Sequence, residues 1–247
     1  MKTPASRAAP RLFAPVDIAL GAEIRLPQRA AHHLGVLRVH PGDAITLFNG
    51  QGGEFSAELV RLDPRQALVR VLSGQGSERE SPLSIALAQC ISGSDRMDTA
   101  LQKSTELGVS KIVPIASERS VVRLSGDRAE KRLAHWRNVI IAACEQCGRN
   151  RIPELTAILD MSDFFEHSAG GGLRLILAPD ADQNLKTLAP PQDVTLLIGP
   201  EGGLTARERG DAEQAGFIPI RFGPRVLRTE TAPLAAIAAM QTLWGDC

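Results

Sequence analysis

Five apolar runs follow residue 82: Leu83–Ile91, Ile112–Ile115, Leu173–Ala178, Val194–Ile198 and Phe217–Phe222, with helix-like patterns between them. Strands buried on both faces read as unbroken apolar stretches, and helices crossing between them keep the strands parallel. The pattern predicts an α/β domain around a parallel sheet. Its clearest helix runs from Asp127 to about Gly148, with Asp127 and Glu130 as a capping box. Ala129, Leu133, Trp136, Ile140, Ala143 and Cys147 form its apolar stripe.

Ahead of these runs the rhythm is different. Ala22–Leu26, Ala44–Phe48, Glu54–Leu62 and Ala67–Leu72 alternate apolar and polar residues, separated by turn signals such as Pro41-Gly42-Asp43, Asn49-Gly50 and Asp63-Pro64. That spacing predicts a small β-barrel-like domain with one short helix near Gln28–Arg38. Gly74 to Pro82 is polar, rich in Gly and Ser, and reads as a linker. The expected division is therefore residues 1–73 and 82–247, in keeping with roughly 100–200 residues per domain.

Composition narrows the function. No apolar run approaches the ~18 residues of a membrane helix, and Met1–Arg7 lacks the apolar centre of a secretion signal. Four cysteines in 247 residues do not make a disulfide framework, so a reducing cytoplasm is expected. The net charge of +0 excludes a uniformly basic coat but not a local patch. Of the 28 basic residues 23 are Arg and 5 are Lys, which favours planar recognition of phosphate and base edges, although genomic composition bias explains it equally well. Aromatic residues make up 4% and Tyr is missing, so a base-stacking platform is not expected.

Two segments carry candidate chemistry. Val194–Ile198 runs into Gly199-Pro200-Glu201-Gly202-Gly203-Leu204-Thr205, with Thr205 and Glu208 set to cap a helix. Glycines at a strand exit let the backbone approach a ligand, and α/β sheets bind ligands at that edge. Neither a dinucleotide nor a nucleoside-triphosphate fingerprint is present. Glu201 suits a neutral or cationic ligand better than a phosphate; the alternative is a tight turn with a solvated carboxylate. Phe222-Gly223-Pro224-Arg225-Val226-Leu227-Arg228-Thr229-Glu230-Thr231-Ala232-Pro233 follows another apolar strand, with Thr229 or Thr231 as helix cap. Arg228 and Glu230 beside that helix start are either functional or a surface pair.

A basic cluster spans Arg119, Arg123, Arg128, Lys131, Arg132, Arg137, Arg149 and Arg151. A solvated helix face explains Arg128, Lys131, Arg132 and His135, whereas Arg149 and Arg151 are better RNA candidates or partners for terminal carbonyls. Cys144-Glu145-Gln146-Cys147 and His32-His33 lack the partners a metal site needs, so no metal is expected.

Taken together, several segments resemble the RsmE-type ribosomal RNA uridine-N3 methyltransferases of the SPOUT superfamily. They are Lys103–Val109 (KSTELGV), Glu145–Arg149 (EQCGR), Ile198–Gly203 (IGPEGG) and Leu227–Ala232 (LRTETA), with Pro10–Phe13 and His32–Arg38 near the start. Ser104 and Cys147 depart from the residues usual there by small substitutions.

The resemblance implies a PUA-like barrel that helps hold RNA, followed by a SPOUT α/β domain with a C-terminal trefoil knot. It implies a homodimer, S-adenosylmethionine as cofactor, and one uridine of 16S rRNA in the 30S subunit as substrate, in the cytoplasm. It assigns Ile198, Gly199, Pro200, Gly202, Gly203, Leu227 and Thr229 to the cofactor. Glu230 or Glu201 is the expected proton acceptor and Arg228 the charge stabiliser; Arg11, Arg38 and Arg149 are the expected RNA contacts. The rivals are a SPOUT enzyme acting on a ribose 2′-hydroxyl or a tRNA base, and a non-catalytic RNA-binding assembly factor. A nucleotide-dependent enzyme is weakened by the missing phosphate-loop lysine.

Overall fold

The computed structural model describes residues 9–167 and 171–247; Met1–Arg7, read above for a leader, lie outside them. The chain divides into two compact units, one of Met1–Arg79 with Cys144–Ile152, the other of Glu80–Ala143 with Pro153–Cys247.

In the first unit, β1 (Arg11–Phe13), β2 (Glu23–Leu26), β3 (Ala44–Phe48), β4 (Glu54–Asp63) and β5 (Gln66–Gln75) form a sheet ordered β1-β3-β4-β5-β2. β1 pairs with β3 in parallel and the other pairs are antiparallel. Alternation sends Leu12, Ile24, Leu26, Ile45, Leu47, Ala57, Leu59, Val69 and Val71 into one core, closed by Ala30, Ala31 and Leu34 of α1 (Gln28–Val36). Gly74 and Gln75, assigned to the linker from composition, extend β5 because Phe55 and Glu54 pair with them.

The second unit holds β6 (Ser84–Cys90), α2 (Ser94–Glu106), β7 (Lys111–Ala116), α3 (Gly126–Cys147, whose last turn belongs to the first unit), β8 (Glu154–Leu155), β9 (Leu159–Asp160), α4 (Met161–His167), β10 (Leu173–Leu177), β11 (Asp193–Ile198), α5 (Ala206–Gln214), β12 (Ile218–Ile220) and α6 (Thr231–Trp244). All its strand pairs are parallel, in the order β12-β10-β11-β6-β7-β8, with β9 also on β7. Ile85, Leu87, Ile112, Ile115, Leu175, Leu196 and Leu197 are fully buried, each worth about 1.5–3 kcal/mol. α6 packs on β11 and against α2.

The capping box at α5 is formed as expected: Glu208 N–H donates to Thr205 Oγ1 at 3.2 Å and Thr205 N–H to Glu208 Oε2 at 2.8 Å. The cap expected at α6 is not. Glu230 holds the N-cap position without a side-chain bond, and α6 starts at Thr231. Likewise α3 starts at Gly126, which moves Asp127 into its first turn. Among the described residues no helix is long and apolar enough to cross a membrane.

Candidate functional site

The sheet order sets where a ligand enters. The chain leaves β6 toward β7 on one side and leaves β11 toward β12 on the other, so β6 and β11 flank a point where connections diverge. Open α/β sheets bind ligands outside the carboxyl ends of strands at such a point. There the second unit has a cavity of about 520 Å³, within the roughly 300–1,000 Å³ typical of ligand sites.

Ile198, Gly199, Pro200, Glu201, Gly202, Gly203, Leu227, Arg228, Thr229 and Glu230 all line it. Two loops 20-odd residues apart in sequence thus meet in one wall, joined by a buried relay. Thr229 Oγ1 donates to Gly199 O at 2.8 Å and accepts from Gln89 Nε2 at 3.2 Å, which also donates to Cys90 O. Thr229 is 7% exposed and Gln89 0%. The hydroxyl is therefore committed to Gly199, which is why it does not cap α6. Gly203 has φ +66, and a Cβ at Gly199 would stand 3.2 Å from Leu204, so this loop depends on glycine.

The charges are arranged asymmetrically. Glu201 Oε1 accepts from Gly93 N–H at 2.8 Å and from Arg96 Nη1 at 2.9 Å. Arg96 Nε also stands 3.8 Å from Glu230 Oε2. The Oε2 atoms of both glutamates are buried without a hydrogen-bond partner. Burial alone would raise the Glu201 carboxyl, but the Gly93 amide, its own amide and the Arg96 guanidinium outweigh it and hold the carboxyl below its ordinary value. Arg228 is exposed, and its carbonyl accepts the Thr231 and Ala232 amides. Burial pushes the Cys90 thiol up to about 12, so it is no nucleophile near neutral pH.

Gln89 and Arg96 were not singled out from the sequence, whereas Arg119, named there in the basic cluster, donates from its Nη1 to Gly202 O at 3.0 Å. Gly93 and Arg96 were findable: they follow the apolar run at Leu83–Ile91, at the same sheet edge as the glycine loop.

The expected RNA contacts separate. Arg38 is exposed and sits at φ +54 just past α1, where Arg38 N–H bonds Gly35 O and Val39 N–H bonds Leu34 O. Glycine is usual in that helix-ending position. Arg11 and Arg149 are less open than Arg38. Arg11 is spent on Glu54, Arg149 O and Asn150, with its guanidinium 4.6 Å over the Phe48 ring. Arg149 is 4% exposed. Arg11 directs its donors to partners within the first unit and Arg149 is buried there, so Arg38 is the most open of the three.

Residues 79–241 match the RNA methyltransferase domain family, and residues 26–72 the RNA methyltransferase PUA domain. A ribosomal RNA small subunit methyltransferase E from Buchnera aphidicola is 35% identical over 96% of this chain and 97% of its own. The chain belongs to the ribosomal RNA small subunit methyltransferase E family. The resemblance carried by the four motifs is thereby borne out. A solved enzyme of this family from Neisseria gonorrhoeae, bound to S-adenosylmethionine, is 44% identical with a TM-score of 0.89, covering 96% of this chain and 99% of that one. A Legionella pneumophila structure described as a putative methyltransferase with bound cofactor SAM is 41% identical with a TM-score of 0.93, covering 98% of this chain and 100% of that one. The first unit is thus PUA-like and the second of the SPOUT-like methyltransferase class.

Proposed function

We propose that the chain methylates N3 of one uridine in the 16S rRNA of the small ribosomal subunit, using S-adenosylmethionine. Methylation of ribosomal RNA follows from family membership; the atom and the base are supported by the site. The observation that carries them is the pair of buried carboxylate oxygens, on Glu201 and Glu230, left without donors in a glycine-walled cavity. Such acceptors suit a cationic cofactor and an N–H acid, and repel a phosphate.

The backbone of Ile198, Gly199, Pro200, Gly202, Gly203, Leu227 and Thr229 would hold the cofactor. When bound, S-adenosylmethionine supplies a methyl group on a positively charged sulfur, which departs with the bonding pair as a neutral thioether. The protein's part is to orient the reactants and handle the proton. The uracil imide is a poor nucleophile until N3 loses its hydrogen. Glu230 takes that proton, N3 keeps the electron pair that forms the bond to carbon, and Arg228 offsets charge growing on the uracil oxygens. Glu201, already tied to Gly93 and Arg96, is the weaker base of the two.

We further propose that the segment from Phe222 to Glu230 belongs to a C-terminal trefoil knot, that the enzyme works as a homodimer on the 30S subunit, and that Arg38 touches RNA. Thr229→Val removes the hydroxyl between Gln89 and Gly199; losing one buried hydrogen bond of this kind should weaken S-adenosylmethionine binding by about tenfold in calorimetry. The function itself is tested by nucleoside mass spectrometry of 16S rRNA after reaction with isolated small subunits. 3-Methyluridine is the expected product, and a 2′-O-methylated nucleoside or no product would overturn it.

A further inference from the structure

We propose that Arg96 is a positioning residue that divides the work of the two carboxylates, gripping Glu201 so that it sets the loop while leaving Glu230 open as the proton acceptor. This rests on the methyl-transfer function proposed above. Three observations converge on it. Arg96 stands in the first turn of α2, directly after β6, and reaches both loops from outside either: Nη1 to Glu201 Oε1 at 2.9 Å and Nε to Glu230 Oε2 at 3.8 Å. The distances are unequal. Glu201 receives a hydrogen bond, whereas Glu230 receives charge without one, so its oxygen stays available to an N–H acid. The same turn supplies Gly93 N–H to Glu201 Oε1, so one carboxylate oxygen takes two donors from a single element. A Cβ on Gly93 would stand 3.3 Å from that oxygen, which leaves the turn little room to shift.

Charge decides what happens without Arg96. The ionisable groups lining the cavity are Arg96, Glu201, Arg209, Arg225, Arg228 and Glu230. Arg209 is occupied by Asp180 at 2.8 Å, and Arg225 and Arg228 are exposed to water. Removing Arg96 leaves two carboxylates facing one cavity with weakened compensation, a condition under which such a pair holds a proton to higher pH. A carboxyl already carrying a proton cannot accept the one from N3. Because Arg96 itself is half exposed, its replacement leaves no buried charge of its own behind.

Single-turnover rates from pH 5 to 9 on small subunits, with saturating S-adenosylmethionine, test this. Arg96→Gln should slow the reaction most at the acid end of this range, by about tenfold near pH 5, and move the acid limb of the profile to higher pH, with Arg96→Lys restoring most of the rate. Cofactor affinity by calorimetry should stay within about threefold of the parent's. In a Glu230→Gln background the further change to Arg96→Gln should alter the rate by less than about twofold, because Arg96 acts through Glu230. An Arg96→Gln profile superimposed on the parent's would overturn the proposal, as would a full effect persisting in the Glu230→Gln background. A rise in KM for RNA at unchanged kcat would also overturn it, making Arg96 a phosphate contact. If the parent itself forms no 3-methyluridine, the proposed function fails instead, and the two failures are told apart.

Discussion

Glu230→Gln should slow single-turnover methyl transfer by at least about a hundredfold, the range over which a positioned general base acts. Glutamine keeps the size and planarity of the side chain but is a neutral amide that cannot take up a proton near neutral pH. The fold depends little on the carboxylate: Glu230 occupies the N-cap of α6 without any side-chain capping bond, and its Oε2 has only the half-exposed Arg96 nearby, at 3.8 Å, and no hydrogen-bond partner. The melting temperature should accordingly move by no more than about 2 °C, less than 1 kcal/mol in a chain of this size. The acid limb of the wild-type rate profile should flatten in the variant, because the group whose protonation blocks the reaction is gone. Glu201 does not substitute for it. Its carboxyl is held low by Gly93, its own amide and Arg96, and a base stabilised in its ionised form has less affinity for the imide proton. Rates within threefold of the parent at every pH would transfer the proton to another acceptor and remove Glu230 from the mechanism.

How much of this site the sequence discloses depends on the range of the interactions that make it. The strands around the cavity are legible because parallel strands covered on both faces need unbroken apolar runs, and Val194–Ile198 lies within observed β11 almost residue for residue. The Thr205–Glu208 box is legible because both of its bonds close within three residues. The cap of α6 is not, because Thr229 finds a better acceptor thirty positions away in Gly199 O, and no local pattern reports that competition. Two-residue strands such as β8 and β9 carry no periodicity to detect. Composition also misassigned Gly74 and Gln75: glycine and glutamine look like linker, but a partner strand with free edge groups at Glu54 and Phe55 recruits them. Arg96 illustrates the remaining gap. An arginine after a strand is unremarkable until the fold brings two glutamates from distant loops within its reach.

Arg11→Ala should destabilise the first unit by about 3 kcal/mol, close to the cost of removing one partner from a buried ionic network, and lower the melting temperature of a unit this small by about 15 °C. Arg11 Nη1 bonds Glu54 Oε2 at 2.7 Å, and its Nη2 serves both Arg149 O at 3.1 Å and the side chain of Asn150. Asn150, which is fully buried, in turn donates to Ser77 O at 2.6 Å. Alanine leaves the two acceptors at Arg149 and Asn150 without their donor and uncovers the Phe48 ring. Arg79 remains on Glu54 at 3.0 Å, so the carboxylate is not abandoned. The pH dependence separates these contributions. Arg79 is the largest influence lowering the Glu54 carboxyl, burial opposes it, and Arg11 adds to the lowering. A carboxyl depressed on folding stabilises fully above its unfolded value, about 4.5, and loses that contribution as pH falls through the folded value. The parent has the deeper depression, so the stability gap to Arg11→Ala should be widest near neutrality and narrow below pH 4.5, without closing, since the bonds to Arg149 and Asn150 do not titrate. Urea unfolding at a series of pH values measures that gap. A gap constant with pH would detach Arg11 from Glu54; unchanged stability with a shallower salt dependence of RNA binding would make Arg11 an RNA contact rather than a structural anchor.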